Sequence, residues 1–406
     1  MRVLQINSVC GVGSTGRIAT DLHSILKEQG HESYIAYGRG EAKNCENAIK
    51  IGNKLDNYFH VAQTRLLDRH GLGSYWATKK FIKQIEKINP DIIHLHNIHG
   101  YYINVKVLFN YLKKTNKPIV WTLHDCWAFT GHCTYFDYVG CDKWKNGCNQ
   151  CIQKKEYPTS LVWDRSKKNY ILKKKNFREI KNMTIVTPSK WLASLVSESF
   201  LQEHHIQLIN NGIDLEIFKP TNSTFRKQYG LENKFIILGV ASTWDRRKGI
   251  NYFIELSRTL KDNQKIVLVG VTEEQKEKLP SNIIGISRTN NAKELAEIYT
   301  EANVFVNPTL EDNFPTTNLE ALGCGTPVIT FKTGGSVESI DRNTGYVINV
   351  GDVKELKNSI HRIEIKSKEV DWSNCTDRAK CLYDKRKKYR EYIKLYEEQI
   401  NENRSY

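Results

Sequence analysis

Two kinds of hydrophobic pattern alternate along this chain of 406 residues. The first is short and almost continuous. Val3-Leu4-Gln5-Ile6 and residues 33–37, 91–96, 119–125 and 185–187 carry apolar side chains with little alternation, as strands buried on both faces do. The second is spread at helical spacing. Residues 18–29 fit it, and so do residues 57–88, where Phe59, Leu66, Leu67, Phe81, Ile82 and Ile85 fall on apolar faces before Asn89-Pro90 ends the run.

The alternation then starts again. Residues 235–241 form a continuous apolar run, followed by strand patterns at 265–270, 283–285, 304–306, 328–331 and 345–348, with helix patterns at 251–261 and 292–301. Two successive series of βα units predict an α/β protein with two doubly wound sheets. From Trp372 the tail is helical and strongly charged, with Tyr383, Tyr389, Ile393 and Tyr396 near one spacing.

In open sheets of this kind ligands bind beyond the carboxyl ends of the strands. After the first strand come Gly11, Gly13 and Gly16, where glycines let a backbone approach a ligand and Ser14 or Thr15 can cap the helix. The spacing matches a dinucleotide-binding turn, but the second strand ends in Tyr37-Gly38-Arg39, without the acid that would hold a ribose, which disfavours a nicotinamide dehydrogenase. His94, His96, Asn97 and His99 close a later strand before Gly100-Tyr101, and His124-Asp125 close the next. Polar side chains there line a ligand crevice more readily than they share a metal, because alternate strand positions would have to bend together with the turn.

The densest chemistry lies in residues 307–335. A buried strand end, Val304-Phe305-Val306, leads through an acidic turn with Pro315 into a helix starting near Thr316, and Glu320 follows four residues on. Free N–H groups and partial positive charge at such a start suit a phosphate, and Glu320 can accept paired hydrogen bonds from a ribose diol. Phosphate and ribose together point to a nucleotide.

Asp312 and Glu320, with Ala321-Leu322-Gly323-Cys324-Gly325-Thr326-Pro327-Val328 behind them, resemble the acidic-x7-Glu signature of retaining glycosyltransferases of family 4. That family usually has Glu at the first acidic position; here Asp312 stands there with Glu311 beside it, and either could touch a donor sugar. Thr187-Pro188-Ser189-Lys190-Trp191, the Asn211-Gly212-Ile213-Asp214 segment running to Pro220, and Lys248-Gly249 also look like elements of the family. The resemblance implies the GT-B fold: two Rossmann-like, doubly wound domains facing a deep cleft, with a C-terminal helix crossing back to the first. The expected division is 1–215, 216–384 and a final helix at 385–406, with the first domain binding the acceptor and the second the nucleotide sugar.

It further implies transfer of a hexose-type sugar, with retention, from a nucleoside diphosphate donor (UDP favoured) to a saccharide acceptor. Lys248 and Arg247 would grip the diphosphate, where the family's usual arginine is replaced by Thr243 or Ser242. Thr316 and Thr317 would meet phosphate oxygens, and Glu320 the ribose. Asp312 or Glu311 would hold sugar hydroxyls beside Phe314, with His124 opposite and Gly13 and Gly16 approaching the donor. His124, Asp312 and Lys248 are the expected catalytic set, and His96, Asn97, His99 and Tyr101 the acceptor contacts. The pattern around His94, His124 and the cysteine loop looks closest to bacterial enzymes of capsule, exopolysaccharide and O-antigen synthesis. Their acceptors are carried on undecaprenyl diphosphate. No Asp-x-Asp triplet occurs, so a metal-held diphosphate would lack its usual ligands and no catalytic cofactor is expected.

Composition narrows the setting. Lys and Arg number 60 against 45 Asp and Glu, a net charge of +15, which favours anionic partners such as phosphates, nucleic acid or an acidic membrane face. No apolar run approaches the ~20 residues of a membrane span, and the start, MRVLQINS, enters a strand at once. A cytoplasmic protein peripheral to the inner face of the plasma membrane is expected. Residues 159–181 form a basic, aromatic-bearing helical segment that suits either a solvated face or anionic headgroups. Without a recognised nucleic-acid module, nucleic acid is not an expected partner; a nonenzymatic nucleotide- or nucleic-acid-binding protein is the alternative. Between residues 126 and 151, Cys133, Cys141, Cys148 and Cys151 could hold a structural zinc, remain free thiols, or form an interface disulfide.

Overall fold

The computed structural model describes residues 1–366 and 372–404. The chain divides into two compact units, residues 1–210 together with residue 388 onward, and residues 211–387.

The first unit runs β1 (Arg2–Asn7), α1 (Gly13–Glu28), β2 (Glu32–Tyr37), β3 (Ala48–Lys50), α2 (Lys54–Leu67), α3 (Tyr75–Ile88), β4 (Ile92–Leu95), α4 (Val105–Leu112), β5 (Ile119–Thr122), α5 (Lys143–Asn146), α6 (Ser166–Arg178), β6 (Met183–Thr187), α7 (Lys190–Glu198) and β7 (His205–Leu208). Its seven strands form one parallel sheet in the order β3-β2-β1-β4-β5-β6-β7. One face, with Leu4, Ile6, Ile93, Leu95 and Trp121, packs on Phe81, Leu108, Phe109 and Phe177 from the helices. The opposite face, with Val3, Ile92, Val120 and Val186, is covered by α1 and by the last helix of the chain.

The second unit runs α8 (Phe225–Tyr229), β8 (Phe235–Val240), α9 (Ile250–Ser257), β9 (Gln264–Val269), α10 (Glu273–Glu277), β10 (Ile283–Ile286), α11 (Ala292–Glu301), β11 (Val304–Asn307), α12 (Thr316–Gly323), β12 (Val328–Phe331), β13 (Gly345–Ile348), α13 (Val353–Lys366) and α14 (Ser373–Leu382). Its six strands are again all parallel, in the order β10-β9-β8-β11-β12-β13. The order reverses between β8 and β11, and the loops that follow those two strands therefore diverge around a crevice at the sheet's carboxyl edge.

The final helix, α15 (Lys385–Arg404), belongs to the first unit from Lys388 on. Tyr389, Tyr392, Ile393, Tyr396 and Ile400 recur at helical spacing and bury against the sheet. Tyr392 Oη pairs with Thr122 Oγ1 at 3.0 Å, and Tyr396 Oη with His94 Nδ1 at 2.6 Å. These hydroxyls are satisfied where they are buried, so the tyrosines add specificity to the apolar contact.

Three sequence expectations are corrected. Residues 57–88 do not form one helix. Asp68 (φ 49°), Gly71 (φ 74°) and Ser74 (φ 51°) turn the chain between α2 and α3, and Phe59 and Leu66 face outward rather than into a core. Helix α1 starts at Gly13 rather than near Ile18, and its N-cap is Val12 without a side-chain bond, so neither Ser14 nor Thr15 caps it. The basic segment 159–181 is helical only as α6, whose Tyr170 and Phe177 point into the protein. Lys173 is buried there as well, donating to Trp127 O at 2.6 Å and Thr130 O at 3.0 Å. Tyr170 and Phe177 are therefore spent on packing, whereas Trp163 and Ile171 of the same segment stay exposed.

Candidate active site

Three loops meet at the carboxyl edge of the second sheet. Leu310 N donates to Arg247 O at 2.8 Å, and Thr333 Oγ1 donates to Thr309 O at 3.0 Å, tying the loops after β8, β11 and β12 together. Gly249, at φ 77°, sits so close to this junction that a Cβ would lie 2.2 Å from Pro308 O. Only glycine fits there, and it lets Lys248 reach across.

Lys248 Nζ lies 2.6 Å from Asp312 Oδ2, with the side chains 21% and 14% exposed. The sequence reading gave these residues separate partners; in the structure they hold each other. Arg247 Nη1 donates to Glu311 O at 2.8 Å, which places a second cation on the same turn. Helix α12 begins directly after it, with Pro315 as N-cap, no capping side chain and no acid in the first turn. A helix start of this kind carries partial positive charge that suits an anion. Thr316 and Thr317 stand half-buried at that end.

Glu320 is one turn further and buried, and Tyr299 Oη donates to its Oε2 at 3.2 Å. Asn318 anchors the same helix: its amide donates to Ser339 Oγ at 2.9 Å and accepts from Asn307 Nδ2 at 2.8 Å. Neither Tyr299 nor Asn318 was singled out from sequence, because the bonds cross between elements. Phe314, expected beside the donor sugar, turns its ring into the core against Tyr383, with centroids 5.9 Å apart.

The first unit concentrates its chemistry at the same edge of its own sheet. His96 is buried, with Nε2 3.0 Å from Gln5 Oε1 and Nδ1 3.2 Å from His124 Nε2. The Gln5 amide nitrogen donates to Ala19 O at 3.0 Å, so its oxygen faces His96 and accepts. Burial holds His96 neutral, its pKa driven well down. It then donates through Nε2 and accepts at Nδ1, which makes His124 the donor through its own Nε2. Burial also lowers His124, to about 4, so it is neutral at pH 7 and carries its lone pair on Nδ1. Gln5, 91 positions away from His96, thus sets the tautomer of His124.

His99 Nε2 pairs with Asp125 Oδ2 at 2.9 Å, while Asp125 Oδ1 accepts from Trp127 N at 2.9 Å. Burial opposes ionisation of Asp125, but His99 and the Trp127 N–H outweigh it and hold the carboxyl below its ordinary value. Tyr101, at φ 72°, is strained for a bulky residue and stacks edge-on against His70 with centroids 4.8 Å apart. Asn97 is fixed through its backbone, its N–H donating to Asn7 Oδ1 and its carbonyl accepting from Tyr102 Oη. Gly13 opens α1 with nothing within 4 Å of where a Cβ would stand, whereas a Cβ on Gly16 would meet Val9 at 3.1 Å. Gly13 sits at φ 66°, the left-handed region that favours glycine, so the backbone itself calls for the first of the two.

Cys133, Cys141, Cys148 and Cys151 line one small cavity of about 20 Å³, together with His132. Among the described residues no group of three or more His, Cys, Asp or Glu is arranged to hold a metal ion. A hydrogen bond from Cys133 pulls the Cys151 thiol down to about 7, and the same bond raises Cys133.

Residues 15–217 match the family described as Glycosyltransferase Family 4, and residues 221–379 match Glycosyl transferases group 1. The chain is similar to the putative colanic acid biosynthesis glycosyl transferase WcaC of Escherichia coli K12, at 24% identity over 98% of this chain and 100% of the relative. It is 27% identical, over 49% of its own length and 56% of the relative's, to an N,N'-diacetylbacillosaminyl-diphospho-undecaprenol alpha-1,3-N-acetylgalactosaminyltransferase of Campylobacter jejuni. Its fold is similar to that of HepE of Anabaena, solved in complex with UDP-glucose, with a TM-score of 0.67 and 15% identity over 100% of this chain and 99% of that one.

Proposed function

This chain belongs to glycosyltransferase family 4, with the GT-B fold, and we propose that it transfers a hexose-type sugar, with retention, from a UDP-sugar to a saccharide carried on a lipid diphosphate during synthesis of a bacterial surface polysaccharide. The observation that carries this is the junction in the second unit, where Lys248, Arg247, Glu311, Asp312 and the uncapped start of α12 converge one helical turn from Glu320. Cations and a helix start suit a diphosphate, and a buried, oriented carboxylate suits a ribose diol.

In this mechanism Glu320 accepts the ribose hydroxyls, and Lys248, Arg247 and the α12 amides take the diphosphate. Their charge stabilises the leaving group as the bond from the anomeric carbon to the phosphate oxygen breaks. The acceptor oxygen bonds to the anomeric carbon on the same face, and its proton passes to the departing phosphate oxygen. Asp312, released from Lys248 when phosphate arrives, turns to sugar hydroxyls. In the first unit, His124 offers its Nδ1 lone pair to a substrate hydroxyl. His96, which spends both ring nitrogens inside the protein, acts as a positioning residue for His124; Asn97, His99 and Tyr101 stand on the acceptor side.

The names of similar proteins support the setting: one concerns colanic acid, and one a diphospho-undecaprenol acceptor. No helix among the described residues is long and apolar enough to cross a membrane, and we place the work at the inner membrane face. Incubation with a panel of UDP-sugars and undecaprenyl-diphosphate-linked saccharides, with UDP release and the anomeric configuration of the product read by NMR, tests the proposal. An α-linked product from an α-linked donor is expected. Inversion, or no UDP release with any donor, would overturn it.

A further inference from the structure

Helix α2 is built inside out. Its inner side carries His60 and Thr64, both buried. Its outer side carries Leu55, Tyr58, Phe59 and Leu66 in one stripe, and Leu55 is 77% and Phe59 70% exposed. This orientation is fixed by hydrogen bonds. His60 Nε2 accepts from Gly71 N at 3.1 Å and Gly73 N at 3.2 Å, leaving Nδ1–H to donate to Ser74 Oγ at 2.9 Å. Asn53 closes a capping box at the start of the helix. Rotating the apolar stripe inward would break the three His60 bonds to the turn.

Neighbouring segments enlarge the stripe. Leu161 N donates to Arg65 O and Trp163 N to Leu66 O, which lays exposed Leu161, Val162 and Trp163 against the end of the helix. The turn held by His60 delivers Tyr75 and Trp76, the latter 75% exposed, at the start of α3. Lys79 Nζ sits over both rings, 4.9 Å and 5.3 Å from their centroids. From Tyr75 a groove of about 850 Å³ runs between α3 and α4, lined by Arg69, Lys79, Lys83, Lys106 and Lys114 with Glu86 as its carboxylate. None of those five cations forms a salt bridge among the described residues.

We propose that this face of the first unit docks on an anionic lipid bilayer, which rests on the assignment of a lipid-linked acceptor above. Tryptophan and tyrosine settle at the headgroup level of a bilayer, aliphatic and phenyl side chains insert just below it, and lysines reach the phosphates. Protein interface cores are depleted in lysine, whereas here lysines flank and overlie the exposed rings. The docking surface is therefore α2, the start of α3 and residues 161–163, in place of the basic helix α6.

The test is flotation of the full chain with vesicles of phosphatidylcholine alone and of phosphatidylcholine with phosphatidylglycerol, at low and high salt. Two double variants are compared, Phe59→Ser with Trp76→Ser, and Lys79→Glu with Lys83→Glu; both alter exposed side chains, and circular dichroism checks the fold. The wild type should float with the anionic vesicles only, less so at high salt, and each variant should lose about tenfold or more in partitioning. Flotation with neither vesicle, or variants that float like the wild type, would overturn the proposal. So would a wild-type dimer that the aromatic variant converts to monomer without any vesicle binding, since a second copy would then cover the patch. UDP binding is measured on the same samples. Its absence in the wild type would count against the transferase function, whereas its persistence in variants that no longer float separates the two.

Discussion

Exchange of Asp312 for asparagine should improve nucleotide binding while damaging transfer. In the ligand-free chain Lys248 is held by Asp312 at 2.6 Å in a site where both side chains are more than three-quarters covered. A diphosphate must compete for that ammonium. A charge-assisted bond of this kind, partly screened, contributes about 1–2 kcal/mol net, so removing the competing carboxylate should tighten UDP by about 5- to 30-fold. If Asp312 then serves the sugar, its loss removes a charged hydrogen bond of about 1.5–3 kcal/mol in the transition state, and kcat/KM for the UDP-sugar should fall by about 10- to 150-fold. Calorimetric titration with UDP and a UDP-release assay with the sugar donor measure the two effects separately. A variant in which UDP affinity and turnover fall together would refute the reasoning, because Asp312 would then be a scaffold for a lysine that never leaves it.

Tyr299→Phe removes the hydroxyl that donates to Glu320 Oε2. It should cost about 1–2 kcal/mol in stability, read by urea unfolding, and raise the KM for the donor more than it lowers kcat. Gln5→Leu frees His96 Nε2–H and so loosens the tautomer of His124; transfer should slow several-fold with the donor KM almost unchanged, in steady-state kinetics. The Lys173 ammonium is lowered to about 7 by burial, from an ordinary value of 10.5. Between those values the unfolded chain binds the proton and the folded chain does not, so its unfavourable contribution is full below pH 7 and fades as pH rises. The stability of the wild type relative to Lys173→Met should therefore improve by up to about 1.4 kcal/mol per pH unit from pH 7 to pH 9. Cys151, lowered to about 7 beside Cys133, should be alkylated first of the loop thiols, as mass spectrometry would show; stoichiometric zinc in protein purified without chelator would contradict the free-thiol state.

Both sheets were legible because parallel strands buried on two faces need unbroken apolar runs, and the runs at residues 328–331 and 345–348 coincide with β12 and β13. Periodicity could not say which side of a helix meets the protein. Phe59 and Leu66 make an apolar stripe in the sequence whether it faces a core or the solvent, and only His60 and Thr64, buried on the other side, decide it. The break between α2 and α3 was foreshadowed by Gly71, at φ 74°, and by Gly73, where a Cβ would lie 2.4 Å from the His60 ring. At the candidate site, the residues local to one loop stood out: Glu311, Asp312, Thr316 and Glu320 lie within a short span after one strand. Partners brought by topology did not. Lys248 and Asp312 are 64 positions apart and their mutual bond is set by Gly249 packing under Pro308, while Gln5, which orients His96, carries no motif of its own.

The central claim is that Glu320 holds the ribose of a bound nucleotide. Its most direct test is calorimetric titration of the full chain and of Glu320→Gln with UDP and with 2′-deoxy-UDP. The wild type should bind UDP about tenfold more tightly than the deoxy nucleotide, the value of one charge-assisted hydrogen bond, and Glu320→Gln should bind the two almost equally. A wild type that binds neither nucleotide, or a variant that keeps the full preference, would contradict the account.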